Sequence, residues 1–74
     1  MEQVQVGKTY KHFKGNLYKV ICVAKSSETL EEHVVYETLY ENPQGRIWVR
    51  PLSMFQEWVD VSGNKVRRFS LIAD

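Results

Sequence analysis

The sequence predicts an all-β fold: a small SH3-like antiparallel barrel of five or six strands with one short helical turn, a single domain over residues 1–74. Three observations lead there. The apolar runs are short and rich in β-branched and aromatic residues, turn-forming residues punctuate them at close intervals, and 74 residues leave room for one domain only. A flat sheet of this size leaves one face wet, whereas closure removes most exposed strand edges and shares one core between both halves of the chain. A chain this short buries only about 60% of its unfolded surface. The core must therefore be economical, and nine aromatic side chains help to supply it.

Taken in order, Phe13-Lys14-Gly15-Asn16 is a turn in which Gly15 accepts a positive φ. Leu17 to Ala24 is the central strand, because it is β-branched, aromatic and too short for a typical helix. Val34 to Tyr40 has the same character, with Val34, Tyr36, Thr38 and Tyr40 on one face, and should pair antiparallel with it. Between them Ser26 is a candidate helix cap, but the following Val-Val-Tyr favours extension, so the segment reads as a long hairpin loop with at most one helical turn. Asn42-Pro43-Gln44-Gly45 is a tight turn into a third strand, Arg46 to Arg50. Pro51 suits the first position of a helical turn through Leu52 to Phe55. Glu57 to Val61 alternates again, Ser62-Gly63-Asn64 turns, and Val66 to Phe69 closes the sheet.

Composition narrows the function classes. A lone cysteine, Cys22, excludes an internal disulfide and reads as a small buried hydrophobe, and two histidines offer no zinc spacing. No metal and no cofactor are expected. No apolar run approaches the roughly 20 residues that span a bilayer, and the first five residues lack the charged and apolar regions of a signal peptide, so the expected compartment is the cytoplasm. The net charge of +1 is too small to draw nucleic acid by bulk field. Yet the charges are segregated: five lysines crowd the first third, five glutamates occupy Glu28 to Glu41 without a cation, and Arg46, Arg50, Lys65, Arg67 and Arg68 follow. Two readings stand. Neighbouring strands carry opposite charges, or a basic surface forms where the first and last segments meet.

Gly7-Lys8-Thr9-Tyr10 through Leu17-Tyr18, Ser27-Glu28-Thr29, Val34-Val35-Tyr36 with Leu39-Tyr40, Trp48-Val49-Arg50-Pro51 with Met54-Phe55 and Glu57, and Arg68-Phe69 together resemble a bacterial family. It is the domain of unknown function 1653, and the resemblance covers roughly residues 7–69. It implies a stand-alone bacterial domain with a barrel-like all-β fold, and it brings no established activity. In the family pattern a histidine commonly precedes the Ser-Glu-Thr, where this chain has Ser26.

The candidate chemistry is local. His12, in a lysine-rich segment, suits donation to a phosphate or carboxylate or service as a base, the plainer alternative being a histidine bonded to backbone. Arg50 shares a strand face with Trp48, an arrangement that holds an anion in bidentate fashion while a ring stacks on the ligand; equally, Arg50 pairs with Glu57 or Glu28. Arg67 and Arg68 alternate to opposite faces, and Arg68 is the one expected at the site. Ser27 with Glu28 and His12 makes a hydrolase triad only if the loop folds back over the barrel, and no nucleophile-elbow glycines surround Ser27. The aromatic residues exceed what a core of this size requires, so some belong at the surface, where rings interleaved with cations stack bases.

The sequence therefore points to a binding module rather than an enzyme. Its face is built from His12, Lys14, Tyr36, Trp48, Arg50 and Arg68, supported by Ser27, Glu28 and Glu57, and its ligand is RNA, a nucleotide or another anionic planar molecule. The alternatives are an adaptor that uses the same aromatics on a protein partner and, third, a small hydrolase. No membrane partner is expected.

Overall fold

The longest strand organises the sheet. In the computed structural model, which describes residues 3–72, β1 spans Thr9–His12, β2 Leu17–Lys25, β3 Glu32–Thr38, β4 Ile47–Pro51, α1 Leu52–Phe55, β5 Trp58–Val61, β6 Asn64–Arg67 and β7 Phe69–Leu71. Residues 1, 2, 73 and 74 of the expected domain lie outside the described part. β2 pairs with β1 on one side and β3 on the other, and the sheet runs in the order β4-β3-β2-β1-β7, every described pair antiparallel.

The chain is mainly β, as its composition implies, but the sheet does not close. β4 and β7 remain its edges, and β5 and β6 form a separate two-stranded hairpin. There are seven strands among the described residues rather than five or six. The run expected as one closing strand, Val66 to Phe69, breaks at Arg68. Its N–H donates to the carbonyl of Glu57 at 2.9 Å while its own carbonyl accepts from Phe13 N–H at 2.9 Å. The chain thereby leaves β5 and reaches β1 within one residue. α1 covers what closure would have covered: a one-turn helix that buries Phe55 against the inner face of the sheet.

Local chemistry accounts for the turns. The loop from Ser26 to Glu31 contains a single helical turn, with Leu30 N–H donating to Ser26 carbonyl at 2.8 Å and Ser26 Oγ accepting from the Glu28 amide at 3.2 Å. Gly45 N–H returns to Asn42 carbonyl at 3.1 Å, as the Asn-Pro-Gln-Gly turn requires. Ser62 and Gly63 both take positive φ, 52° and 83°, the two-residue geometry that matches strand twist in a hairpin. Pro51 stands one place earlier than expected. It is the N-cap of α1, at φ −53° and ψ 140°, and still pairs with His33 as the last residue of β4.

The core is Tyr10, Val20, Val34, Tyr36, Phe55 and Phe69, with Val4, Tyr18, Trp48 and Leu52 packed against it. Phe55 and Phe69 stack face to face, centroids 4.2 Å apart and 4° from parallel. Tyr10 and Tyr36 flank Phe55, and Tyr18 and Tyr36 flank Phe69. The rings are thus used mostly as core and not in surplus to it, although Trp58 and Phe13 are exposed. Cys22 is also exposed, against expectation. The reason is a β-bulge: Val20 faces Tyr36 and Cys22 faces Val35, which leaves Ile21 without a partner and turns Cys22 to the outer face. No helix among the described residues is long and apolar enough to cross a membrane.

Candidate functional site

The pairing of β1 with β7 brings the first and last thirds of the chain together. His12 lies opposite Phe69, and the turn after β1 meets Arg68 through the Phe13 amide. Gly15 makes that turn tight. At φ +111° it adopts a conformation that L side chains rarely reach, and its N–H donates to His12 carbonyl at 2.7 Å. Lys14 is thereby placed so that its amide donates to His12 Nδ1 at 3.2 Å. An accepting Nδ1 leaves the ring proton on Nε2, so the neutral imidazole offers one N–H donor.

Two rings tie the basic groups to one corner. His12 meets the edge of Phe69 at 4.9 Å, and the Arg50 guanidinium lies 5.6 Å from the same ring. His12 also lies 4.6 Å from Phe13, whose ring has Arg68 and Lys14 each at 5.9 Å. His12 therefore stands between Arg50 and the pair of Arg68 and Lys14. Burial, then the neighbouring charges of Arg50, Arg68 and Lys14, hold its imidazole below the ordinary histidine range.

The two arginines are held differently. Arg68 donates from Nε and Nη2 to Glu57 Oε1 at 2.9 and 2.8 Å, so Glu57 positions Arg68 and not Arg50. Arg50 reaches β3 instead, its Nε donating to Tyr36 Oη at 3.4 Å. No carboxylate among the described residues pairs with it. Arg50 thus combines partial burial, an aromatic neighbour and four N–H groups without a described partner. Arg67 goes the other way, as alternation requires, lying 4.4 Å over the exposed Trp58 and donating to the Gln56 carbonyl. A cleft of about 370 Å³ opens on that side, lined by Tyr10, Trp58, Arg67 and Phe69 among others. It shares only Phe69 with the corner.

Other expected members stand apart. Trp48 shares the Tyr36 face, but its indole N–H donates to Gly45 carbonyl at 3.0 Å and so closes the turn before β4. Ser27 and Glu28 bond to each other at 2.8 Å in the exposed loop beyond the far end of β2. His12 lies beyond the near end, and the nine residues between, at about 3.3 Å each, make a path of roughly 30 Å. A triad of His12, Ser27 and Glu28 is not assembled. Among the described residues no group of His, Cys, Asp and Glu is arranged to hold a metal ion.

Sequence reasoning missed a hydroxyl pair at the same end. Tyr18 Oη and Tyr40 Oη lie 2.9 Å apart, with Asn42 donating to Tyr40 at 3.4 Å. Burial, then the Tyr40 hydrogen bond and the proximity of Tyr40, push Tyr18 up to about 12. Tyr18 lies 6.4 Å from His12 and 5.5 Å from Phe69, which places this pair on the rim of the corner. Directly across from Tyr18, Thr38 is buried, and its hydroxyl has no hydrogen-bond partner among the described residues. The available signal was Tyr18 sharing alternation with buried Val20, opposite Tyr36 and Thr38 on the next strand.

A family model described as a protein of unknown function, DUF1653, matches residues 8–71. The chain belongs to the DUF1653 family. A crystal structure of a DUF1653 protein from Bordetella bronchiseptica is similar to it at 32% identity and a TM-score of 0.87, covering 97% of this chain and 91% of that one. No curated protein matches it. Every residue of the corner falls inside the DUF1653 match, and so does the bulge that sets the faces of β2.

Proposed function

We propose that this DUF1653 protein is a binding module whose His12, Lys14, Arg50 and Arg68 corner takes an anionic, planar ligand, RNA or a nucleotide. One observation carries the reading: Arg50 is partly buried beside Phe69 and Tyr36, without a carboxylate among the described residues to neutralise it. A guanidinium so placed is a preformed donor for carboxylate or phosphate oxygens. The neutral His12 adds its Nε2–H, and the exposed Phe13 ring supplies a stacking surface.

Titration with short RNA, single-stranded DNA and a nucleotide panel at low salt tests this, read by amide shifts of residues 12–14, 50 and 68. Salt-sensitive binding at those residues is the expected result, and its absence across the panel refutes the proposal. An adaptor was expected to use the same aromatics, but a different, aliphatic surface favours that second reading. Ile47 and Val49 are exposed on the outer face of β4, Val49 beside Val35, and an adaptor that used them would leave the corner shifts unmoved.

A further inference from the structure

Charge is arranged unevenly around the sheet. On the outer face Lys19 stands opposite Glu37, which Arg46 also bonds at 3.2 Å, and at the far end of the same strand pair Lys25 stands opposite Glu32. Each of these three cations has a carboxylate beside or across from it, Glu37 serving two of them. At the corner Arg50, Arg68 and Lys14 are set against one carboxylate, Glu57, which pairs with Arg68, an excess of two positive charges; burial, then these cations, favour the neutral form of His12, whose Nδ1 accepts the Lys14 amide. No basic track leads away from the corner along β2 and β3, where Lys19 and Lys25 each face a glutamate.

A polyanion backbone needs a row of cations, each meeting one phosphate. A terminal phosphate needs the opposite arrangement, a few donors converging on one group with close to two negative charges near neutral pH. We propose that the corner is selective for a terminal phosphomonoester carried on a base, as in a nucleoside monophosphate, over an internal phosphodiester. This rests on the reading of the corner as an anion site and narrows it. Arg50 and Arg68 supply the charged donors, Arg68 keeping three N–H groups beyond the two bonded to Glu57. His12 supplies a neutral donor between them, and Phe13 stacks the base.

The test compares adenosine 5′-monophosphate, its phosphate methyl ester and adenosine on the full chain, by calorimetry and by amide shifts at residues 12–14, 50 and 68. The ester keeps base, sugar and phosphorus but carries one charge less and one oxygen blocked. The monophosphate is expected to bind about tenfold or more tightly than the ester, with adenosine weaker again. Arg50→Met, with the circular dichroism spectrum of the parent, is expected to lose about tenfold for the monophosphate and less for the ester. Equal affinity for monophosphate and ester at these residues overturns the terminal-phosphate selectivity while leaving the anion site intact. No binding of either overturns both.

Discussion

Replacing Phe55 by alanine should remove the element that stands in for barrel closure. Its ring is 1% exposed, stacks on Phe69 at 4.2 Å, and meets Tyr10 at 5.3 Å and Tyr36 at 5.8 Å. Truncating a fully buried phenylalanine costs about 3–5 kcal/mol, and an aromatic pair adds roughly 0.5–1.5 kcal/mol beyond area. At roughly 0.05–0.15 kcal/mol per residue, a domain this short holds only about 4–11 kcal/mol. F55A should therefore lose about a quarter or more of its stability. With a urea slope near ~1 kcal/mol/M, the midpoint falls by about 3–5 M. Urea unfolding followed by Trp48 and Trp58 fluorescence and by circular dichroism measures it. F55L, which keeps an apolar side chain but forfeits the stack, should lose about 1–2 kcal/mol and stay folded for comparison. An F55A midpoint within about 0.5 M of the parent would refute the role given to α1.

His12 gives a pH dependence whose sign follows from its lowered value: the unfolded chain takes up the proton first. Its contribution is complete above the ordinary histidine range and is lost as pH falls toward the folded value, so H12Q should flatten the acid side of a stability profile. Tyr18 acts at the other end. Raised to about 12, it favours the folded state up to the ordinary tyrosine range near 10 and loses that contribution between there and 12. Absorbance titration of the phenolates should show one late tyrosine that Y40F brings earlier; an unchanged curve would remove Tyr40 as a cause. Native Cys22 should react with a thiol reagent at close to its rate in urea, and protection would contradict the bulge that turns it outward.

What the sequence revealed, and what it hid, divides along local and nonlocal chemistry. β2, the one-turn helix at Leu52–Phe55 and the turns at Gly15, Gly45 and Gly63 are short-range features, written in β-branching, proline and glycine. The convergence of His12 with Arg50 and Arg68 was legible only as charge segregation, because it depends on β1 meeting β7. Cys22 was misread because strict alternation through Val-Ile-Cys-Val gives no sign of an extra residue at Ile21. Glu57 was foreseen as a partner but for the wrong arginine. Choosing Arg68 over Arg50 depends on the break after β6, which alternation does not register. Trp48 followed its strand face as expected, yet its one polar atom was taken by a turn three residues away.

An unclosed sheet carries a hazard that a closed one lacks, since free backbone groups on its rims can recruit strands from other molecules. Here the rims are poor templates. β7 has three residues, too few for a durable ladder, and β4 ends in Pro51, which brings no N–H to extend one. Brevity at one border and an imino acid at the other let the protein leave its sheet open without inviting fibrils.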